Sequence, residues 1–202
     1  PRSTPLYSSA ASDVYKIQLL VHLGEDRDVI AGLSMGGNTA IAYALAYPDK
    51  VKALILVDTT SWYGEDAQEA WEKRAHNAET NGLEPVISFN LSRWFSDNYP
   101  EIHPHESKKI SEILTTGDSA SYAAACRALG TFDGRDGLDR IECPTLVIVG
   151  AEDPATPPAM AEYLHQNIRN SNLHVLDGLR HMTPVEAPDQ VGDLISDFLE
   201  TL

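Results

Sequence analysis

Basic side chains are scarce in this 202-residue sequence: fifteen lysines and arginines stand against thirty aspartates and glutamates, a net charge of −15. Such a surface repels the phosphates of nucleic acid and anionic lipid headgroups, so neither nucleic acid nor a membrane is expected as a partner. Cysteine is scarcer still. Cys126 and Cys143 are the only two, without CxxC spacing or a histidine at metal-ligand separation, which argues against a disulfide framework and a zinc site and for two thiols in a reduced compartment. Long apolar runs are missing as well. No stretch approaches the ~18 residues that a membrane span needs and no secretory apolar region opens the chain, so a cytoplasmic protein is expected. Repeats and low-complexity tracts are lacking too. What is present is an ordinary apolar fraction of 43%, enough to bury the core of one domain carrying an insertion.

Four short apolar runs, residues 28–33, 51–57, 144–149 and 173–176, are each bounded by Gly, Asp or Asn and suit strands covered on both faces of a mainly parallel sheet. Helical spacing separates them. Residues 12–23 place Val14, Ile17, Leu20 and Val21 on one face, residues 35–47 are alanine-rich and stop at Pro48, and residues 159–168 and 190–202 continue the alternation. Strand, helix, strand order is the pattern of a doubly wound α/β sheet. Between Asp58 and Cys143 the alternation breaks. Helices are expected there near 65–80, 83–95, 104–114 and 119–129, separated by turn residues such as Asn98-Tyr99-Pro100. The chain therefore divides into a core of residues 1–60 and 130–202 and a helical cap of residues 61–129.

The segment Gly32-Leu33-Ser34-Met35-Gly36-Gly37 follows a strand and opens a helix, the context in which GxSxG presents a nucleophile. A serine hydroxyl attacks poorly until a base takes its proton, so it must project from a sharp turn that base and substrate both reach. Gly32 and Gly36 are expected to remove side chains that would collide as strand folds back into helix, and the Met35 N–H to stabilise an oxyanion. The base must come from elsewhere. His22, His76 and His165 fall in helical patterns, His174 lies within a strand, and the His103/His105 pair has no further ligands, so no metal is expected. His181 follows the last strand run at its carboxyl end, where sites in open α/β sheets lie. An acid to orient it is expected after a strand too. Asp153 follows the third run and is preferred; Asp58, ending the second, is the rival and is read as structural, while Glu152 points elsewhere from the same turn.

With these residues in hand a resemblance is visible. Residues 32–37, Val149-Gly150-Ala151-Glu152-Asp153 with Thr156-Pro157-Pro158, and His181 with Glu186-Ala187-Pro188 resemble the α/β-hydrolase superfamily. More narrowly, Leu91-Ser92-Arg93-Trp94-Phe95 and residues 122–133 are similar to the 3-oxoadipate enol-lactonase group, whose members hydrolyse an enol-lactone ring in aromatic-compound breakdown. The resemblance implies a hydrolase of a small carboxylic ester or lactone, without a cofactor, acting through an acyl-Ser34 intermediate with His181 as base and Asp153 as orienting acid. It also implies that the cap sets specificity through apolar walls such as Trp71, Trp94 and Phe95, with Arg93 or Arg127 facing a substrate carboxylate. Because C–C hydrolases and cofactor-free haloperoxidases share the core, such an activity is the alternative, and a non-catalytic fragment without a second oxyanion donor is a third reading. The strands that the superfamily places before the nucleophile strand have no counterpart here. The chain is therefore expected to start midway through the fold, with a second polypeptide segment pairing to the strand at residues 28–33.

Overall fold

A computed structural model describes residues 27–202; the helix expected over residues 12–23 lies outside them. Strand β1 (Asp28–Leu33) runs into helix α1 (Met35–Ala46), and β2 (Val51–Val57) follows after one turn of 3₁₀ helix. Further on come β3 (Thr145–Gly150), α7 (Pro158–Asn167), β4 (Ser171–Leu176), a one-turn helix α8 (Thr183–Glu186) and α9 (Pro188–Glu200). The four strands form one parallel sheet in the order β1-β2-β3-β4. All therefore point their carboxyl ends the same way, and the loops that carry chemistry gather at one rim.

The period of two along β2 and β3 decides which helices cover which face. Leu54 and Leu56 with Val147 and Val149 pack on Ile41 and Tyr43 of α1 and on Ala161 and Leu164 of α7. Ala53, Ile55 and Val57 with Leu146 and Ile148 face Val191 and Phe198 of α9. Each buried valine, leucine, isoleucine or phenylalanine among them, taken out of water, contributes roughly 1.5–3 kcal/mol. The outer strands differ from expectation. β4 opens on Ser171 and Asn172, which have no apolar pattern, and Val175 is exposed, because a strand terminal in the sheet is covered less completely than a central one. β1 is terminal in the described sheet, so the pairing partner expected for it would lie outside the described residues.

Between β2 and β3 stand five α-helices, α2 (Ala67–Asn81), α3 (Glu84–Trp94), α4 (Tyr99–Ile102), α5 (Pro104–Thr115) and α6 (Ser119–Thr131), followed by a turn of 3₁₀ helix (Leu138–Arg140). The single turn α4 occupies the segment read as a separator, with Pro100 at a first-turn position where its missing N–H costs nothing. Small residues let α2 and α6 approach closely: Ala75, Ala123 and Cys126 form their contact, and a Cβ on Gly130 would come within 3.0 Å of the Trp71 Cβ. The insert joins the sheet through a neck, closed by a bridge between Trp62 and Asp133 and by a 2.8 Å bond from Gly134 N to the Ser61 carbonyl. Arg135 binds Asp133 and stacks over the Trp62 ring at 3.7 Å.

Candidate active site

Each polar residue of interest stands just past a strand: Ser34 after β1, Asp58 after β2, Asp153 after β3 and His181 after β4. Ser34 has φ 52° and ψ −118°, a left-handed conformation that a non-glycine residue adopts only where its surroundings enforce it. They do so here. Ser34 N donates to the Val57 carbonyl at 2.9 Å and the Thr59 hydroxyl donates to the Ser34 carbonyl at 2.7 Å. A Cβ on Gly32 would sit 2.2 Å from the Gly36 carbonyl oxygen, and one on Gly37 2.4 Å from Thr59 Oγ1. The expectation for Gly36 is corrected: a Cβ there meets nothing within 4 Å, so the glycine demanded by packing is Gly37, which the β2 end approaches. Met35 opens α1, where the helix leaves its N–H without an intrahelical acceptor.

Ser34 Oγ lies 2.8 Å from His181 Nε2, and His181 Nδ1 lies 2.8 Å from Asp153 Oδ2. Asp153 is almost wholly buried and fully engaged: Oδ1 accepts from Ala155 N at 2.7 Å and Thr156 N at 3.0 Å, and Oδ2 also accepts from the Thr156 hydroxyl at 2.7 Å. Burial works to raise its pKa, but the hydrogen bonds and charge of His181 and the donors of Thr156 prevail and hold the carboxyl below its ordinary value. An ionised Asp153 can only accept, so His181 Nδ1 carries the proton and Nε2 turns its lone pair toward the Ser34 hydroxyl. Asp58 has no bond to His181; its partners are Gly150 N, Thr183 N and the Thr183 hydroxyl.

The His181 loop is fastened to the insert as well as to the sheet. Met182 N donates to the Trp94 carbonyl at 3.0 Å, and Arg180 Nη1 donates to the carbonyls of Ser92 and Phe95. Glu186 accepts from Arg180 N on one oxygen and from Ser96 N and Oγ on the other. The end of α3 is thereby fixed beside the histidine.

A cavity of about 230 Å³ opens from Ser34 and His181 into the insert. Trp71, Arg93 and Trp94 line it as expected, together with Arg74, Tyr63 and Tyr122. Two expectations fail. Arg127 is held on the outer face of α2 and α6 by Glu72 and Glu79, which occupy its guanidinium, and Phe95 is buried against Tyr99 in a ring stack at 4.8 Å. Arg74 went unnoticed in the sequence, although its place three residues after Trp71 on one helix was the available signal. It packs over the Trp71 and Phe89 rings at 4.8 Å each and donates to Asn90 Oδ1. Burial first, and the Arg74 charge next, lower the pKa of Arg93, whose guanidinium donates to the Pro154 carbonyl. Among the described residues neither arginine pairs with a carboxylate. Nor, among them, is there a cluster of side chains suited to a metal ion, or a helix long and apolar enough to cross a membrane.

The chain as a whole is similar to proteins of known sequence and structure. The chain is 37% identical over 172 residues to 3-oxoadipate enol-lactonase 2 of Acinetobacter baylyi, a match covering 85% of this chain and 63% of that protein's length. Among solved structures, the enol-lactonase from Burkholderia xenovorans superposes with a TM-score of 0.90 at 31% identity, over 96% of this chain and 74% of that one. A thermophilic esterase from Thermogutta terrifontis, solved with malate bound, gives 0.88 at 29% identity, over 96% and 72%. A family model described as "alpha/beta hydrolase fold" matches residues 1–188, a span holding every strand of the described sheet and the whole helical insert. The chain therefore belongs to the α/β-hydrolase fold family and resembles its 3-oxoadipate enol-lactonases.

Proposed function

We propose that this protein hydrolyses a carboxylic ester or lactone through an acyl intermediate on Ser34. The observation that carries the reading is the single histidine within 2.8 Å of both Ser34 Oγ and a buried, ionised carboxylate. His181 takes the serine proton as Oγ attacks the carbonyl carbon; the tetrahedral oxyanion is stabilised by the Met35 N–H at the start of α1. Collapse expels the alkoxide or enolate, which receives that proton from His181, and the histidine then activates water to free the acid and restore the serine. Asp153 fixes the proton on Nδ1 and stabilises the imidazolium formed in each half-reaction. No step calls for a cofactor.

The helical insert is assigned the role of a cap, residues 61–129 over a core of 1–60 and 130–202, with Trp71 and Trp94 as apolar walls. Arg74 and Arg93 favour a substrate bearing a carboxylate, since two half-buried cations without a carboxylate partner among the described residues gain most from an anionic ligand. Relatives named 3-oxoadipate enol-lactonases support an enol-lactone of that kind, and the esterase solved with malate is consistent with acidic ligands. Turnover of carboxylate-bearing enol-lactones, neutral p-nitrophenyl esters and dienoic diketones tests the reading. Hydrolysis of the lactones that disappears in Ser34→Ala is expected; cleavage of the diketones alone would reassign the chemistry to C–C bonds.

A further inference from the structure

Asp58 is a costly residue for this fold to keep. It is wholly buried, its φ is 45°, and its side-chain hydrogen bonds among the described residues go to Gly150 and Thr183, not to Ser34, His181 or Asp153. A buried carboxyl and a left-handed non-glycine backbone each cost free energy that the rest of the structure must offset. Its bonds show what is gained. Oδ2 meets Thr183 N at 2.9 Å and Thr183 Oγ1 at 2.8 Å, two residues beyond His181, while Oδ1 accepts from Gly150 N at 3.3 Å at the end of β3, three residues before Asp153. The loop it grips lies directly on that strand end: a Cβ on Gly150 would come within 2.3 Å of the Arg180 carbonyl oxygen. Asp58 N, in turn, donates to the Ile148 carbonyl at 2.8 Å, so its own backbone is pinned to β3.

We propose that Asp58 is a positioning residue for His181, acting through Thr183 to lock the histidine loop onto the strand ends that carry Ser34 and Asp153. The proposal rests on the reading of His181 as the base. From the insert side the loop is held by the carbonyl of Trp94 and by Ser96; from the sheet side Asp58 supplies the corresponding hold. Asp58 works by hydrogen bonding without a charge. Burial, reinforced by the negative Asp153 nearby, pushes its pKa up to about 8 against the Thr183 and Gly150 donors that pull it down. With a pKa of about 8 the carboxyl is mostly protonated at neutral pH, and its oxygens still accept from Thr183 N, the Thr183 hydroxyl and Gly150 N. The ionised carboxylate that His181 requires therefore stays with Asp153, and the second carboxyl behind it adds no competing charge.

Four variants decide the matter: Asp58→Ala and Thr183→Val, which remove the grip, and Asp58→Asn and Thr183→Ser, which preserve neutrality or the hydroxyl. On p-nitrophenyl butyrate the first pair should lose about 10- to 100-fold in kcat, the scale of a misplaced catalytic group. Their KM should stay within about twofold, because substrate contacts are untouched. Thr183→Ser should restore most of the rate, and Asp58→Asn should leave the acid limb of kcat/KM where it stands in the parent. Parental kcat in both Asp58→Ala and Thr183→Val would overturn the proposal. So would an acid limb displaced by about one pH unit in Asp58→Asn, which would mean that a charge had been removed. A second readout does not need turnover: the downfield proton resonance of His181 Nδ1–H should survive in Asp58→Asn and Thr183→Ser and broaden or vanish in Thr183→Val. A parent protein inert toward every ester would sink the acyl-serine reading, and the resonance would still decide whether Asp58 positions the histidine.

Discussion

Two carboxyls bond to the His181 loop, and their surroundings drive them in opposite directions. Asp153 is met by His181 and three donors of the Ala155–Thr156 turn and stays ionised; Asp58 is buried with fewer donors and with Asp153 for company, and takes up a proton. The sequence offers both after strands and in the right chain order, so only the spatial partners separate them. We expect Ser34→Ala and His181→Ala each to lower kcat by roughly 10⁴- to 10⁶-fold, and Asp153→Asn by about 10⁴-fold through the wrong histidine tautomer. Thermal unfolding should show all three folded. Asp58 makes a separate prediction about stability. Its folded-state pKa of about 8 exceeds the unfolded 3.8, so the folded protein binds the extra proton and loses stability as pH rises between those values. Asp58→Asn should therefore gain on the parent by up to about 1.4 kcal/mol per pH unit from pH 5 to 7, measured by denaturant titration. A difference independent of pH would mean that Asp58 is ionised in the folded state.

At the scale of elements, the turn from β1 into α1 tests the packing account directly. Gly37→Ala drives a methyl into Thr59, the residue that holds the Ser34 carbonyl, and should cost about 1–3 kcal/mol together with much of the activity. Gly36→Ala meets nothing and should stabilise α1 by roughly 0.5–1 kcal/mol in thermal melts. The pattern GxSxG marks Gly32 correctly but draws the eye to Gly36 in place of Gly37, because the close approach to Gly37 is made by the Thr59 side chain just past β2, which a linear motif does not show. The central strands were legible because apolar runs buried on both faces carry their own signal. β4 was legible only in its last residues, since Ser171 and Asn172 reflect an edge position that periodicity does not encode. Arg127 and Arg74 sit 53 positions apart in sequence on helices that touch, and whether a guanidinium meets Glu72 and Glu79 or the cavity is decided by that packing alone.

Taken whole, the molecule is acidic, with a net charge of −15, yet at the cavity beside Ser34 it keeps two arginines that have no carboxylate partner among the described residues. The long-range field disfavours anions and local cations must outweigh it, so on the proposed reading discrimination falls to Arg74 and Arg93. Arg74→Gln and Arg93→Gln should raise KM for carboxylate-bearing lactones by about 10-fold or more and leave neutral esters nearly unchanged. Arg127→Gln should alter neither, since it faces away. Equal effects on both substrate types would remove the arginines from anion recognition. The proposal that Ser34 is the nucleophile, armed by His181, is tested most directly by a fluorophosphonate probe followed by intact-mass measurement and peptide mapping. The account predicts one adduct per chain, on Ser34, formed slowly or not at all in His181→Ala. An unlabelled protein, or an adduct on any other residue, would contradict it.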